Sequence, residues 1–400
     1  MARPTVPVLQ VVANLEIGGA QEVVRALARY LPAEGCPTLV ATFRDGPLRA
    51  AIERSGVEVV VLEPRRRSIL AGPASVAELL RIRRALAGLA RRHRAAVVQT
   101  HLLVSLDFVV LTLRSEPGVR AVLWTVHNAR LELRPDQLPG HHWLLGPKRL
   151  AYRLLYGLGG RLGAVFVAVS DDVGRAVRRT IRPPRRSVVV IPNGVDVERY
   201  GNPVDRAAVR RGLGLPGDAR LAVVVAKLLE QKGHAVLLAA LPSVVARYPD
   251  LHVLLCGEGP LREALRETIE RTGLDGRVHL LGNRDDVADL LAAADLFVLP
   301  SLWEGLPVAL LEAMASRLPV VATDVSGSRQ VVVPGETGLL VPPGDPDRLG
   351  AAIVELLEAP ERARAFGEAA RRRVEDHFSA RAMAVRHAEL YRALAAGGGA

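Results

Sequence analysis

Along the chain, short runs of continuous apolar residues alternate with segments whose apolar positions recur every three or four residues. VPVLQVVANLE opens the series as a strand, and GGAQEVVRALARYL follows as a helix starting on two glycines. PTLVATF, VEVVVLE, AAVVQTH, RAVLWTVH, AVFVAVS and SVVVIPN read as further strands, most of them separated by helical periodicity. A Pro- and Gly-rich passage around residues 192–217 interrupts the alternation, which then restarts. ARLAVVVAKL, LHVLLCGEGP, RVHLLG, DLFVLPS, LPVVAT and GLLVPPG are the strands of the second series, with helices such as PLREALRETIERTG between them. Near-continuous Val/Leu strands joined by helices build parallel sheets covered on both faces. The pattern therefore predicts an α/β protein of two Rossmann-like domains, their parallel sheets facing across a deep cleft. The expected domains are residues 1–192 and 193–377, with a last helix near 378–396 packing back on the first. In open sheets of this kind, ligands bind beyond the carboxyl ends of the strands.

Composition agrees with this picture and narrows it. Four hundred residues exceed what one core serves. A hydrophobic content of 49% with 24% charged residues excludes a disordered chain. No stretch approaches the roughly 20 apolar residues of a membrane span, and the opening MARPTVPVLQVVANLE lacks a signal-peptide cleavage site. Two cysteines, Cys36 and Cys256, exclude a disulfide framework and fit a reducing cytosol. The charge is unevenly placed: the first 200 residues hold 30 Lys and Arg against 16 Asp and Glu, the last 200 hold 23 against 26. That asymmetry fits an anionic partner, whether lipid head group, acidic acceptor or nucleic acid, or an arginine-favouring composition.

Several positions break the apolar pattern in ways that carry chemistry. In SLWEGLPVALLEAMASRLPVVAT, residues 301–323, Glu304 and Glu312 must find donors if they are buried. Read along a helix opened by Pro307, they sit about 80° and about 12 Å apart. That is too far to act on one bond but suits two parts of an elongated ligand, with a phosphate on the amides at Gly305 and Leu306. A capping glutamate plus a salt-bridged one accounts for them equally. Lys227 and Lys232, two of only three lysines, fall in AKLLEQKGH at a strand's carboxyl end, as phosphate contacts or as solvated loop residues. Gly18 and Gly19 in EIGGAQE let backbone approach a ligand, or simply make a tight turn. His127 in LWTVHNAR ends a buried strand, either functional or only hydrogen-bonded. CGEGP starts like a dinucleotide fingerprint without its third glycine. Asp345-Pro346 reads as a helix N-cap followed by proline at the first position. No His/Cys cluster has metal spacing, so the expectation is a site without metal or cofactor.

The motifs IGGAQ, THL (100–102), VAVSDDV, VIPNGVD, QKGH, CGEGP, ADLFVLPSLWEGLPVALLEAMA and GETGLLVPPGD run nearly the length of the chain. Their order and spacing resemble the retaining glycosyltransferases of family 4, which have the two-domain GT-B architecture. The resemblance implies that Glu312 binds the ribose hydroxyls of a nucleotide sugar and Glu304 the hydroxyls of the transferred sugar. It implies that Lys232 contacts the diphosphate and that His127 lies against the transferred sugar. Gly18 and Gly19 fall on the donor side, with Gly19 beside diphosphate and acceptor. Lys227 stands where the family usually has arginine, which keeps the charge and loses the fork. Arg317 stands for a frequent Gly, and Arg329-Gln330 for Pro-Glu; these departures are expected at the rim of the nucleotide pocket. The implied partners are a nucleotide-sugar donor and a glycan, lipid or small-metabolite acceptor.

Two basic helices bear on location. ELLRIRRALAGLARRHR (78–94) sets Leu79, Ile82, Leu86 and Leu89 against the first sheet and leaves Arg81, Arg83, Arg84, Arg91, Arg92 and Arg94 on other faces. GPKRLAYRLLYGL (146–158) adds Lys148, Arg149 and Arg153 beside Tyr152 and Tyr156. Together they point to a cytoplasmic protein docked peripherally on an anionic inner leaflet. Competing readings are a nucleotide-sugar epimerase or a glycogen-type phosphorylase on the same architecture. The phosphorylase wants a pyridoxal lysine from a chain with three lysines. A basic nucleic-acid-binding protein fits the pI of about 10.5 but not 4% aromatics without an RNA-binding aromatic motif.

Overall fold

A computed structural model of the chain describes residues 4–63, 73–101, 105–128 and 145–397. Leu102 of the Thr-His-Leu motif and the side chains of Lys148 and Arg149 lie outside what is described. The chain divides into two compact units, Met1–Asn193 with Arg381–Ala400, and Gly194–Ala380.

The first unit is built on β1 (Val8–Val12), β2 (Thr38–Thr42), β3 (Glu58–Val61), β4 (Val97–Thr100), β5 (Ala121–Val126), β6 (Ala164–Ala168) and β7 (Val188–Val190). They form one parallel sheet in the order β3-β2-β1-β4-β5-β6-β7. Every residue of β1, β2, β5 and β6 is buried, as the unbroken apolar runs require of strands covered on both faces. The second unit repeats the plan with β8 (Arg220–Val225), β9 (Leu251–Cys256), β10 (Val278–Gly282), β11 (Leu296–Leu299), β12 (Val320–Thr323) and β13 (Leu339–Val341). Its parallel order is β10-β9-β8-β11-β12-β13. Leu237, Leu241 and Val244 of the helix His234–Arg247 share a buried cluster with Val224 of β8 and Val253 and Leu255 of β9. In each sheet the winding reverses once, between β1 and β4 and between β8 and β11. Such switch points leave a crevice at the carboxyl ends of the strands.

Helix ends follow the local sequence. Asp345 caps Pro346–Glu358 by accepting from the Arg348 amide at 2.9 Å, with Pro346 at the first position. The helix Val308–Ala315 ends with Arg317 at φ 60°, while Leu318 N bonds Ala313 O and Arg317 N bonds Met314 O, both at 3.1 Å. This is the left-handed turn that glycine usually supplies, so an arginine costs of order 1 kcal/mol of backbone strain there. Arg317 therefore stands at the amino end of β12, where it reaches Glu368 at 3.4 Å and Gly201 O at 3.3 Å. The expectation that it rims a nucleotide pocket is corrected: a helix starting beyond the carboxyl end of β11 must finish at the amino ends of the parallel strands. Arg329, on Asp324 at 2.7 Å, does follow β12 at its carboxyl end.

The basic helix Pro73–Arg92 also differs from expectation in its arginines. Ile82 and Leu86 are buried as the stripe requires. However, Arg81 pairs with Glu78 (2.7 Å), Arg83 and Arg91 with Glu116 (2.9 and 2.5 Å), and Arg92 with Glu58 (2.6 Å). Four of the six arginines therefore already have acidic neighbours. What stands out instead is the helix Leu145–Arg161, where Leu150, Leu154, Leu155 and Leu158, with Leu162 just beyond, are 47–65% exposed. Their spacing gathers them within about 140° of one face.

Candidate active site

In the second unit, the loop leaving β8 passes Lys227 and turns through a short helical stretch, Glu230–Lys232, into the helix His234–Arg247. Gly233 makes that turn at φ 64°, and a Cβ there would lie 1.9 Å from Pro300 O. Only glycine meets both demands. The close approach seats this loop on the chain leaving β11. Gln231 holds it from both sides, donating its amide to Trp303 O at 2.9 Å and accepting from Leu302 N at 2.7 Å.

This clamp brings Lys232 onto Glu304. The lysine Nζ lies 2.5 Å from Glu304 Oε1, which also accepts from Ser301 Oγ at 2.7 Å. Glu304 is 5% exposed, so a carboxylate there needs those donors. Ser326 Oγ donates to Glu304 O at 3.2 Å, and a Cβ on Gly327 would meet Gly305 O at 2.7 Å. The Glu304–Gly305 backbone is thus packed against the segment after β12. Leu306 is buried beside it. Lys227 is exposed at the head of the loop, with Leu228 behind it held to the CGEGP segment by a bond from Leu228 N to Glu258 O at 3.0 Å.

The two glutamates do not share a helix. Pro307 is the N-cap, with φ −73° and ψ 114°, so the helix begins at Val308 and only Glu312 rides on it. The extended ψ at Pro307 delays the first helical turn, and the angular estimate made from Glu304 no longer applies. Glu312 is 7% exposed and accepts from the buried Tyr200 hydroxyl at 2.7 Å. The strand-end lysines, Glu304, and the first turn of the helix carrying Glu312 all belong to the switch point between β8 and β11. The open amides of that first turn and the positive end of the helix favour an anion.

In the first unit, Gly18 is the N-cap and Gly19 the first residue of the helix Gly19–Tyr30, beyond the carboxyl end of β1. His127 follows β5 and is half-buried. Its partner is His101 of the Thr-His-Leu motif, a residue given no role from the sequence: His101 Nδ1 lies 3.1 Å from His127 Nε2, the rings stacked at 5.3 Å. Burial, and then the neighbouring His387, hold His127 down to about 4, and burial holds His101 well below the usual imidazole range. Both rings are neutral near pH 7. Behind them Gln10, Gln99, Thr125 and Tyr391 form a buried chain of hydrogen bonds. A signal was present in the sequence: VVQTH and LWTVH both place a polar residue two before a histidine, hence on one sheet face. Among the described residues, no three His, Cys, Asp or Glu side chains converge as they would around a metal ion.

The description "Glycosyltransferase Family 4" matches residues 17–199, and "Glycosyl transferases group 1" matches residues 205–373. The chain is similar to the GDP-mannose-dependent monoacylated alpha-(1-6)-phosphatidylinositol monomannoside mannosyltransferase of Corynebacterium glutamicum, 36% identical over 200 residues, 47% of this chain and 52% of that one. It is also similar to the UDP-Gal:alpha-D-GlcNAc-diphosphoundecaprenol alpha-1,3-galactosyltransferase of Escherichia coli, 32% identical over 60% of this chain and 61% of that one. The chain spans about half the length of the first curated relatives it matches. Its fold is shared by Anabaena HepE solved with UDP-glucose, with TM-score 0.80, 22% identity, and coverage of 96% of this chain and 98% of that one.

Proposed function

The chain belongs to glycosyltransferase family 4, and on that premise we propose that it transfers a sugar, with retention, from a nucleoside-diphosphate sugar to an acceptor hydroxyl. The observation that carries the reading is the meeting of Lys232 and Glu304 at the switch point of the second sheet. In this reading Glu312 takes the ribose hydroxyls and Glu304 those of the transferred sugar. Lys227, Lys232 and the amides near Gly305 and Leu306 take the diphosphate, and Gly18, Gly19 and His127 contact substrate from the first unit. Breaking the anomeric C–O bond builds positive charge on the sugar and negative charge on the departing phosphate. Fixed lysines and helix amides stabilise that phosphate without a metal ion, each charge-assisted bond being worth about 1.5–3 kcal/mol. The acceptor oxygen attacks C1 from the face the phosphate leaves, and its proton passes to the departing phosphate oxygen. No protein nucleophile is required.

A panel of α-linked UDP-, GDP- and ADP-sugars tests this, with the product anomer read by NMR. We expect an α-linked product formed equally well in EDTA. A β-linked product, or activity lost in EDTA and restored by magnesium, contradicts the proposal.

The proposal extends to location: a cytoplasmic protein that docks on an anionic bilayer and takes a lipid-linked or cell-envelope acceptor. The exposed leucines of Leu145–Arg161 support it, together with the basic first half of the sequence. The names of the two relatives above include a phosphatidylinositol mannoside and a diphosphoundecaprenol, both lipid-linked. Among the described residues no helix is long and apolar enough to cross a membrane. The protein should sediment with anionic vesicles more than with neutral ones. Leu154→Ser with Leu158→Ser should abolish this, and salt near 0.5 M should weaken it only in part, because apolar contact is not screened. No sedimentation at low salt, or full retention in the double variant, removes the leucines from the argument.

A further inference from the structure

We propose that Tyr391 and Gln10 are positioning residues that fix which ring nitrogen of His127 carries the proton. The proposal rests on the reading that His127 contacts substrate. Register places the parts: Gln10 of β1 pairs with Gln99 of β4, and Gln99 with Leu123 of β5. His101 lies two residues beyond Gln99, while Thr125 and His127 lie two and four beyond Leu123, so all share one sheet face. Tyr391 reaches that face from the helix Ala380–Ala395, which returns to the first unit after the second is complete.

The hydrogen bonds run in one direction. Gln99 Nε2 donates to Thr125 Oγ1 at 2.6 Å, so the Gln99 carbonyl oxygen accepts from the Tyr391 hydroxyl. Tyr391 has then spent its only proton, and its oxygen accepts from Gln10 Nε2 at 3.1 Å. The Gln10 oxygen in turn faces His101 Nε2 at 2.9 Å, which must carry a hydrogen. A neutral His101 so protonated offers only a lone pair at Nδ1, and His127 Nε2, 3.1 Å away, must donate to it. A neutral His127 that is protonated at Nε2 has a bare Nδ1. The side chain therefore presents a hydrogen-bond acceptor, suited to a sugar or acceptor hydroxyl. Reversing every link gives the one other satisfied chain, and it reverses the tautomer of His127 as well. His387, one turn earlier on the same helix, is no link: its Nδ1 lies 2.9 Å from Met383 O.

Nitrogen-15 NMR of histidine-labelled protein near pH 7, without donor or acceptor, tests this independently of any activity. Signals are assigned with His101→Gln and His127→Gln. We expect both residues to show a protonated Nε2 and an unprotonated Nδ1. A protonated Nδ1 on His127 overturns the proposal even if transfer activity is found, and the expected tautomer stands even if it is not. In folded Tyr391→Phe, His127 should show both tautomers, and kcat should fall about tenfold, the size of one hydrogen bond, at unchanged donor KM. A single unchanged tautomer in that variant removes Tyr391 from the role.

Discussion

Replacing Glu304 with alanine should lower turnover at least tenfold, about 1.4 kcal/mol, while free nucleoside diphosphate binds more tightly than to the wild type. The first effect follows from the proposed contact with the transferred sugar, whose hydroxyls lose a buried acceptor. The second follows from the pair observed here. Lys232 is neutralised by Glu304 at 2.5 Å, and a diphosphate must compete with that carboxylate for the ammonium group. With the carboxylate gone, Lys232 is a bare cation at a helix N-terminus, an arrangement that attracts phosphate. The loop itself should survive, since Ser326 holds the Glu304 carbonyl rather than its side chain. Glu304→Gln, which preserves volume, should strengthen diphosphate binding in the same direction. Titration calorimetry with UDP and GDP, beside steady-state rates, separates the two claims. Wild-type turnover in a folded variant removes Glu304 from the site. Weaker diphosphate binding shows that the pair does not restrain Lys232.

Glu312→Ala should act on the other kinetic parameter, raising donor KM at least tenfold with a smaller change in kcat. A carboxylate that binds ribose hydroxyls holds ground state and transition state alike, so its loss falls on binding. Tyr200→Phe offers a graded comparison. Its hydroxyl donates to Glu312 Oε1 at 2.7 Å, so removing it takes that one hydrogen bond from the carboxylate and leaves its charge in place. A few-fold rise in KM is expected, about the value of one hydrogen bond. Equal losses in the two variants would mean that Tyr200 contacts donor directly. A Glu312→Ala enzyme with unchanged KM would take the ribose role away from this residue.

The strands were legible in the sequence because each is a Val/Leu-rich run bounded by loop residues, and burial on both faces leaves no room for polar alternation. Glu304, Glu312, Lys227 and Lys232 were legible for the opposite reason, as charges in apolar or strand-end settings. Their partners were not. Tyr200 lies 112 positions from Glu312, and Gln10 lies 381 from Tyr391, so only the folded chain brings them together. The helix start was misplaced because proline tolerates both the cap and the first turn, and ψ at Pro307 is set by packing. The arginines of Pro73–Arg92 read as a free basic face because Glu58 and Glu116 come from other elements. Gln10, Gln99 and Thr125 were visible as polar residues inside apolar strands, and nothing local said that they bond to one another.

The return of the last helix to the first unit bears on how the protein is made. Ribosomes deliver the chain from its amino end, and β1, β4 and β5 emerge long before Tyr391. The whole of Gly194–Ala380 is synthesised in between, which at about 5–20 residues per second takes on the order of tens of seconds. For that interval Gln10 Nε2 and Gln99 Oε1 lack the phenol they bond in the finished fold, and burying either without a partner is unfavourable. The face of the first sheet that bonds to Tyr391 can therefore be completed only after the second unit has been synthesised. Vectorial synthesis thus delays completion of the amino-terminal unit, although it is translated first.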